Sequence, residues 1–288
     1  MCSARLDSFT RDGLTFDVRD TGPADGVPVV LLHGFPQDSR SWEPVSALLH
    51  ARGFRTVAPD QRGYSPRARP TRRRDYRVSE LVGDVVALVE RLGPDRVHLV
   101  GHDWGAAVAW GVAAHRPDLR RSLTALSVPH PAAFVRAMAT SRQGLKSWYM
   151  YAFQLPWLPE RGISRGRWFE DRLRSSGMSP AAAARDAAMM RDRQAARAAL
   201  SWYRAVMLTR PKDLRAKVSV PTLHVWSDGD VAVGPEGPVA TERWVDAPYT
   251  FEVLEGVSHW IPEEVPERLD ALLARHFAAT GEGTLPRG

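Results

Sequence analysis

Asp103 stands between two glycines in Gly101-His-Asp-Trp-Gly105, immediately after the apolar run Val97-His-Leu-Val100. Small residues two positions either side suit a strand-to-helix turn tight enough to lift the middle side chain clear of the backbone. Alone the pattern is weak, because Asp is a common helix N-cap and Gly a common loop residue. Its weight comes from two segments further along the chain. An acidic loop, Ser227-Asp-Gly-Asp-Val231, closes a later apolar run, and Gly256-Val-Ser-His-Trp260 closes the last one. Nucleophile, acid and histidine thus occur in the order used by covalent hydrolases built on such a turn. No Asp or Glu follows the run ending at Val128, so the acid must be Asp228 or Asp230. His33-Gly-Phe-Pro36 follows an early run, where an amide facing the nucleophile is required.

The chemistry these residues could do is coherent. A carboxylate is ionised at neutral pH and attacks without a base, whereas a serine would need the histidine to take its proton. With Asp103 as nucleophile, His259 is free to activate water. Attack on an sp³ carbon gives an alkyl-enzyme ester. Water then attacks the ester carbonyl, and the backbone N–H groups of Phe35 and Trp104 steady the oxyanion. Asp228 or Asp230 orients His259 and stabilises its cation.

Elements must hold these groups in place. Alternation at 15–20 predicts a half-buried strand. The runs 28–32, 54–60, 96–101, 122–128, 218–226 and 249–254 predict the remaining strands. Helices are expected from Ser41 as N-cap to Leu49, from Ser79 to Leu92, over 105–115 and over 266–278. Strands alternating with helices imply an α/β fold: a mostly parallel central sheet with helices on both faces, its ligands at the carboxyl ends of the strands. His33, Asp60, Asp103, Asp230 and His259 all fall at such ends. Residues 132–213 contain no clear strand, and Ser179-Pro180 opens an Ala-rich helix there. The expected organisation is therefore a core of 1–131 and 214–288 with an inserted helical domain of 132–213. The tail 280–288 is expected to be disordered.

The totals limit the partners. The 288 residues carry a net charge of +6. The one dense basic run, Arg67-Ala-Arg-Pro-Thr-Arg-Arg-Arg74, reads as a solvated loop with no nucleic-acid motif beside it. No apolar run is long enough to span a bilayer, and the N-terminus has no signal-peptide core. Neither nucleic acid nor membrane is expected as a partner. One cysteine, Cys2, permits no internal disulfide, and a cytoplasmic location is expected. The histidines lack metal-ligand spacing, so neither metal nor cofactor is expected. The state of assembly, monomer or homodimer, is left open.

The chain resembles the epoxide hydrolase branch of the α/β-hydrolase superfamily. The resemblance rests on His33-Gly-Phe-Pro36, Asp60-Gln-Arg-Gly-Tyr-Ser65, Gly101-His-Asp-Trp-Gly105, the Asp230 loop and His259-Trp260, in that order over nearly the whole chain. It implies an α/β-hydrolase fold in which 132–213 caps the site, a cis bond before Pro36, and Asp230 as the triad acid with Asp228 as the fallback. It also implies that two cap tyrosines bind the epoxide oxygen. Ser147-Trp-Tyr149 with Gln154 matches the first motif and Ser201-Trp-Tyr203-Arg the second; Tyr151 is the competitor for Tyr149. Ring opening develops alkoxide charge, to which a buried phenol can donate. The implied substrate is a small apolar epoxide, its pocket walled by Phe35, Trp104, Trp148 and Trp202.

A haloalkane dehalogenase shares the aspartate turn. That branch often has Asn at the position of Phe35, and fluoroacetate dehalogenases have Arg at that of Trp104. A serine esterase is disfavoured by the lack of a serine at the turn. A non-enzymatic small-molecule-binding protein of the same fold would show a broken triad. Asp60, Arg62 and His102 are expected to be structural.

Overall fold

A computed structural model describes residues 5–93 and 96–280. Eight strands form one sheet: β1 Ser8–Arg11, β2 Leu14–Thr21, β3 Pro28–Leu32, β4 Arg55–Pro59, β5 Val97–His102, β6 Arg120–Leu126, β7 Thr222–Ser227 and β8 Tyr249–Leu254, in the order β1-β2-β4-β3-β5-β6-β7-β8. The first two strands run antiparallel to their neighbours and the rest are parallel. Strands β3, β4, β5 and β7 are buried along nearly their whole length because both faces are covered. The chain goes from β3 to β4 on one side, then returns to place β5 on the other. The crevice between the ends of β3 and β5 is thus the switch point where ligands of such sheets bind.

Helices α1 Glu43–Ala51, α2 Val78–Leu92 and α3 Trp104–His115 follow β3, β4 and β5. Ser41 is not the cap of α1. It lies inside a 3₁₀ turn, Ser39–Trp42, where the Asp38 side chain accepts from the Arg40 amide and the Ser41 hydroxyl donates to the Asp38 carbonyl. Likewise α2 begins at Val78, one residue before Ser79. The sheet also has one strand more than the apolar runs predict. β1 is only four residues long, and it joins β2 through Asp12-Gly13, both at positive φ, as a tight hairpin requires. Phe9 stacks on Phe16 across that pair, at 4.6 Å between ring centres.

Between β6 and β7 lie α4 Pro131–Thr140, α5 Gln143–Lys146, α6 Trp148–Ala152, α7 Leu158–Ser164, α8 Trp168–Ser175, α9 Pro180–Met190, α10 Arg193–Ala205 and α11 Pro211–Leu214. Ser179 caps α9, its hydroxyl accepting from the Ala182 amide. The core helices end with α12 Glu236–Val239, α13 Ile261–Glu264 and α14 Pro266–Ala279. One apolar core joins α2, α3 and the insertion to one face of the sheet; a second packs α1 and α14 on the other face around Trp42, Leu49, Leu273 and Phe277. The expectation for 280–288 falls outside the described residues beyond Thr280.

Candidate active site

The turn after β5 holds Asp103 at φ 53°, a left-handed conformation that a side-chain-bearing residue adopts rarely. Glycines make this possible. A Cβ on Gly101 would lie 2.3 Å from the Gly105 carbonyl oxygen, and one on Gly105 2.1 Å from that of Leu32. The spacing noted in the sequence is therefore a packing requirement: helix, turn and two strands meet backbone to backbone.

Gly34 is a third such position, because a Cβ there would sit 2.4 Å from Asp103 Cβ and Oδ1. Gly34→Ala is expected to displace the carboxylate and lower turnover by at least tenfold while the protein still folds. Circular dichroism beside a rate assay checks this, and full activity in the variant would show that the contact is relaxed away.

The Asp103 carboxylate is held from two sides. Its Oδ1 accepts from the Phe35 amide at 2.8 Å, and its Oδ2 lies 3.6 Å from His259 Nε2. The bond between Phe35 and Pro36 is cis. Of the two amides expected at an oxyanion, Phe35's is on the carboxylate, whereas no hydrogen bond links Trp104's to it among the described residues. On the far side of the imidazole, His259 Nδ1 is 2.7 Å from Asp230 Oδ2. Asp230 Oδ1 is itself fixed by the amides of Ala232 and Val233, at 2.7 and 2.9 Å. Asp228 takes no part; its Oδ1 accepts from the Gly256 amide in a neighbouring turn.

Burial works against charge on all three groups, and mutual attraction overcomes it. Asp103 stays below the usual carboxylate range despite burial, chiefly through the hydrogen bond and charge of His259. Asp230 is lowered against its burial by the charge of His259, then by its hydrogen bonds. Burial disfavours the imidazolium, but Asp230 and Asp103 together raise His259 to about 10. At rest the trio is carboxylate, imidazolium, carboxylate.

The consequence for stability has a definite sign. A histidine whose folded value is raised stabilises fully below its unfolded value near 6.5, and that contribution disappears as pH rises through about 10. Between those limits wild-type stability should fall with pH, with the slope of one proton, relative to His259→Gln. Parallel denaturant midpoints for the two proteins across that range would contradict the charged trio.

Behind Asp103, His259 and Asp230 runs a chain of polar contacts. His102 points away from the cavity, its Nε2 2.8 Å from the His259 carbonyl oxygen and its Nδ1 3.2 Å from Gln37 Oε1. Gln37 donates to Glu263 at 2.6 Å, and Arg185 of α9 reaches Glu263 at 2.8 Å. Asp60 and Arg62 are structural. Asp60 accepts from the Ser39 amide, and Arg62 grips Asp84 with two hydrogen bonds of 2.7 Å.

Asp103 opens onto a cavity of about 540 Å³ shared by core and insertion. Its walls include Trp104, Trp110 and Val82 from the core and Phe134, Met150 and Val206 from the insertion. Tyr149 of α6 and Tyr203 of α10 line it too, their rings 6.1 Å apart at 79°. Tyr203 is wedged edge-on between Phe35 and Trp104, at 5.4 and 5.0 Å. The Gln154 side chain ties the two helices, donating to the carbonyls of Met150 and Tyr203 at 3.1 and 3.0 Å. Tyr151 faces outward. Burial, followed by the charge of Asp103, raises both phenols well above their ordinary value, so both stay protonated.

Of the four expected wall residues only Trp104 lines this cavity; the Phe35 ring packs against Tyr203 instead, and the two tryptophans are elsewhere for a helical reason: neighbours in sequence point about 100° apart. Trp148 precedes Tyr149 and is exposed. Trp202 precedes Tyr203 and is buried behind Trp104, its indole N–H donating to the Arg62 carbonyl at 2.8 Å. The walls from Trp110, Phe134 and α2 were not legible, since single apolar residues on helices carry no mark of the cavity they face.

The profile of the alpha/beta hydrolase fold family matches residues 27–266. The chain belongs to that family. It is 32% identical over 274 residues to the AB hydrolase superfamily protein YfhM of Bacillus subtilis (strain 168), covering 92% of this chain and 95% of that one. It is 28% identical over 273 residues to Epoxide hydrolase 3 of Xenopus tropicalis, covering 91% and 74%. Among solved structures, an epoxide hydrolase of Bacillus megaterium in complex with an inhibitor superposes with a TM-score of 0.83 at 25% identity, covering 94% of this chain and 99% of that one.

Proposed function

We propose that this α/β-hydrolase is a cofactor-independent epoxide hydrolase that converts an apolar epoxide to a vicinal diol, with residues 132–213 as the cap over its site. One observation carries the reading: two protonated phenols, Tyr149 and Tyr203, face the same cavity as a carboxylate paired to a histidine–aspartate couple. Likeness to proteins named epoxide hydrolases supports it.

In this reading Phe35 retains Oδ1, and Oδ2 of Asp103, the oxygen facing His259, attacks a ring carbon. The carbon–oxygen bond breaks, its electron pair goes to the epoxide oxygen, and a tyrosine proton follows. Trp104 flanks the bound epoxide. The ester has no charge, so His259 loses one of the two carboxylates that held its proton. That proton passes to solvent or to the tyrosinate, leaving a neutral base. His259 then takes a proton from water as the oxygen attacks the ester carbonyl, whose oxyanion Phe35 receives. Collapse expels the diol oxygen, which takes the remaining proton, and restores carboxylate and imidazolium.

The test is a panel of apolar epoxides, styrene oxide among them, assayed for diol, with haloalkanes assayed for halide release. Diol without halide is expected. Background rates across the panel would end the proposal, and halide release without diol would make the protein a dehalogenase.

A further inference from the structure

Two features of the surface are unused by this chemistry: the basic run near residue 70 and a set of exposed aromatic side chains on the insertion. The structure brings them together. Leu145 of α5, Trp148 and Tyr151 of α6 and Leu155 just beyond it recur every three or four residues, and all are exposed, unlike Tyr149. Trp157 comes next, 68% exposed at the start of α7, and Trp168 of α8 is 59% exposed over Gly162 of α7. Arg73 donates to Gln154 at 3.3 Å, which puts the basic run beside this face.

The charge around the patch is one-sided. Arg142, Arg161, Arg165, Arg167, Arg172 and Arg174 are exposed, and none makes an ion pair among the described residues. Between 142 and 175 the acids are Glu160, Glu170 and Asp171; Glu160 is spent on Arg204 and Glu170 faces Arg191, which leaves exposed Asp171 against the six arginines. Large exposed apolar patches mark contact surfaces. Trp and Tyr favour the headgroup layer of a bilayer, and clustered arginines favour anionic lipid.

We infer that this face of the insertion docks on an anionic lipid bilayer. The contact is peripheral: no described helix is long and apolar enough to cross a membrane. A membrane partner is not expected from the sequence because only a spanning segment leaves a continuous apolar run, and this patch is scattered over four short helices. The inference stands independently of the reaction assigned to Asp103.

Flotation of the purified full-length chain with phosphatidylcholine vesicles, with and without phosphatidylglycerol, tests this. Binding is expected only with phosphatidylglycerol, weakening as salt rises. Each basic residue near such a surface contributes roughly fivefold in binding. Arg165→Glu with Arg167→Glu should therefore weaken partitioning by about 25-fold or more. Trp157→Ser with Trp168→Ser should also release the protein, with unchanged melting temperature and turnover of a soluble substrate. Failure to float at low salt, equal binding to neutral vesicles, or variants that bind like wild type would overturn the proposal. So would concentration-dependent dimers that the tryptophan variant abolishes without any vesicle binding, or polyanion binding that the tryptophan variant retains.

Discussion

Asp103→Ala is expected to bring diol formation down to the uncatalysed rate. Every later event in the proposed reaction happens to the ester on this residue, so its loss leaves no slower version of the same route. Enzymes accelerate their reactions by about 10⁶-fold or more, and the loss should be of that order. The fold should survive. The Asp103 side chain makes no capping hydrogen bond to α3, and the turn geometry comes from Gly101 and Gly105. The Phe35 amide would lose its acceptor, a modest cost beside an open cavity. Diol measured by chromatography, alongside a melting curve, decides the matter. A folded variant with more than about a thousandth of wild-type turnover would mean that another group attacks, against the roughly 10⁶-fold expected.

Replacing Tyr149 and Tyr203 together by Phe should have the next largest effect, and on one step only. Removing one donor to a developing oxyanion costs roughly 10²–10³ in rate, and the double variant removes both. The rings pack against each other and against Phe35, Trp104 and Phe153, contacts that Phe retains. Loss is therefore assignable to the hydroxyls. Ester formation should slow by more than either single change produces, while hydrolysis of preformed ester keeps its rate. Equal slowing of both steps would make the tyrosines wall residues. Because burial and Asp103 keep both phenols protonated, activity should not decline near pH 10 through their ionisation.

What the sequence made legible depends on how local each signal is. The parallel strands were readable because burial on both faces leaves unbroken apolar runs such as Pro28–Leu32. Asp103, the 227–231 loop and His259 were readable because each follows such a run, and the sheet brings strand ends together. The choice of Asp230 over Asp228 came only from resemblance. The chain folds through Asp228-Gly229 so that one carboxylate caps a turn and the other reaches His259, at 2.7 Å. β1 was missed because four residues carry almost no periodicity. Trp148 and Trp202 were misplaced because a motif names residues without saying which face of the helix each one takes. The His102–Gln37–Glu263–Arg185 chain, made of residues far apart in sequence, left no local trace at all.

The covalent route itself is tested most directly in His259→Gln. With the water-activating base gone but Asp103 and its Phe35 amide intact, a single turnover with excess enzyme should leave the epoxide attached to Asp103. Mass spectrometry of the peptide containing residue 103 should then show a gain equal to the whole mass of the epoxide, with little diol released. An unmodified peptide together with diol formed at the wild-type rate would contradict the two-step mechanism.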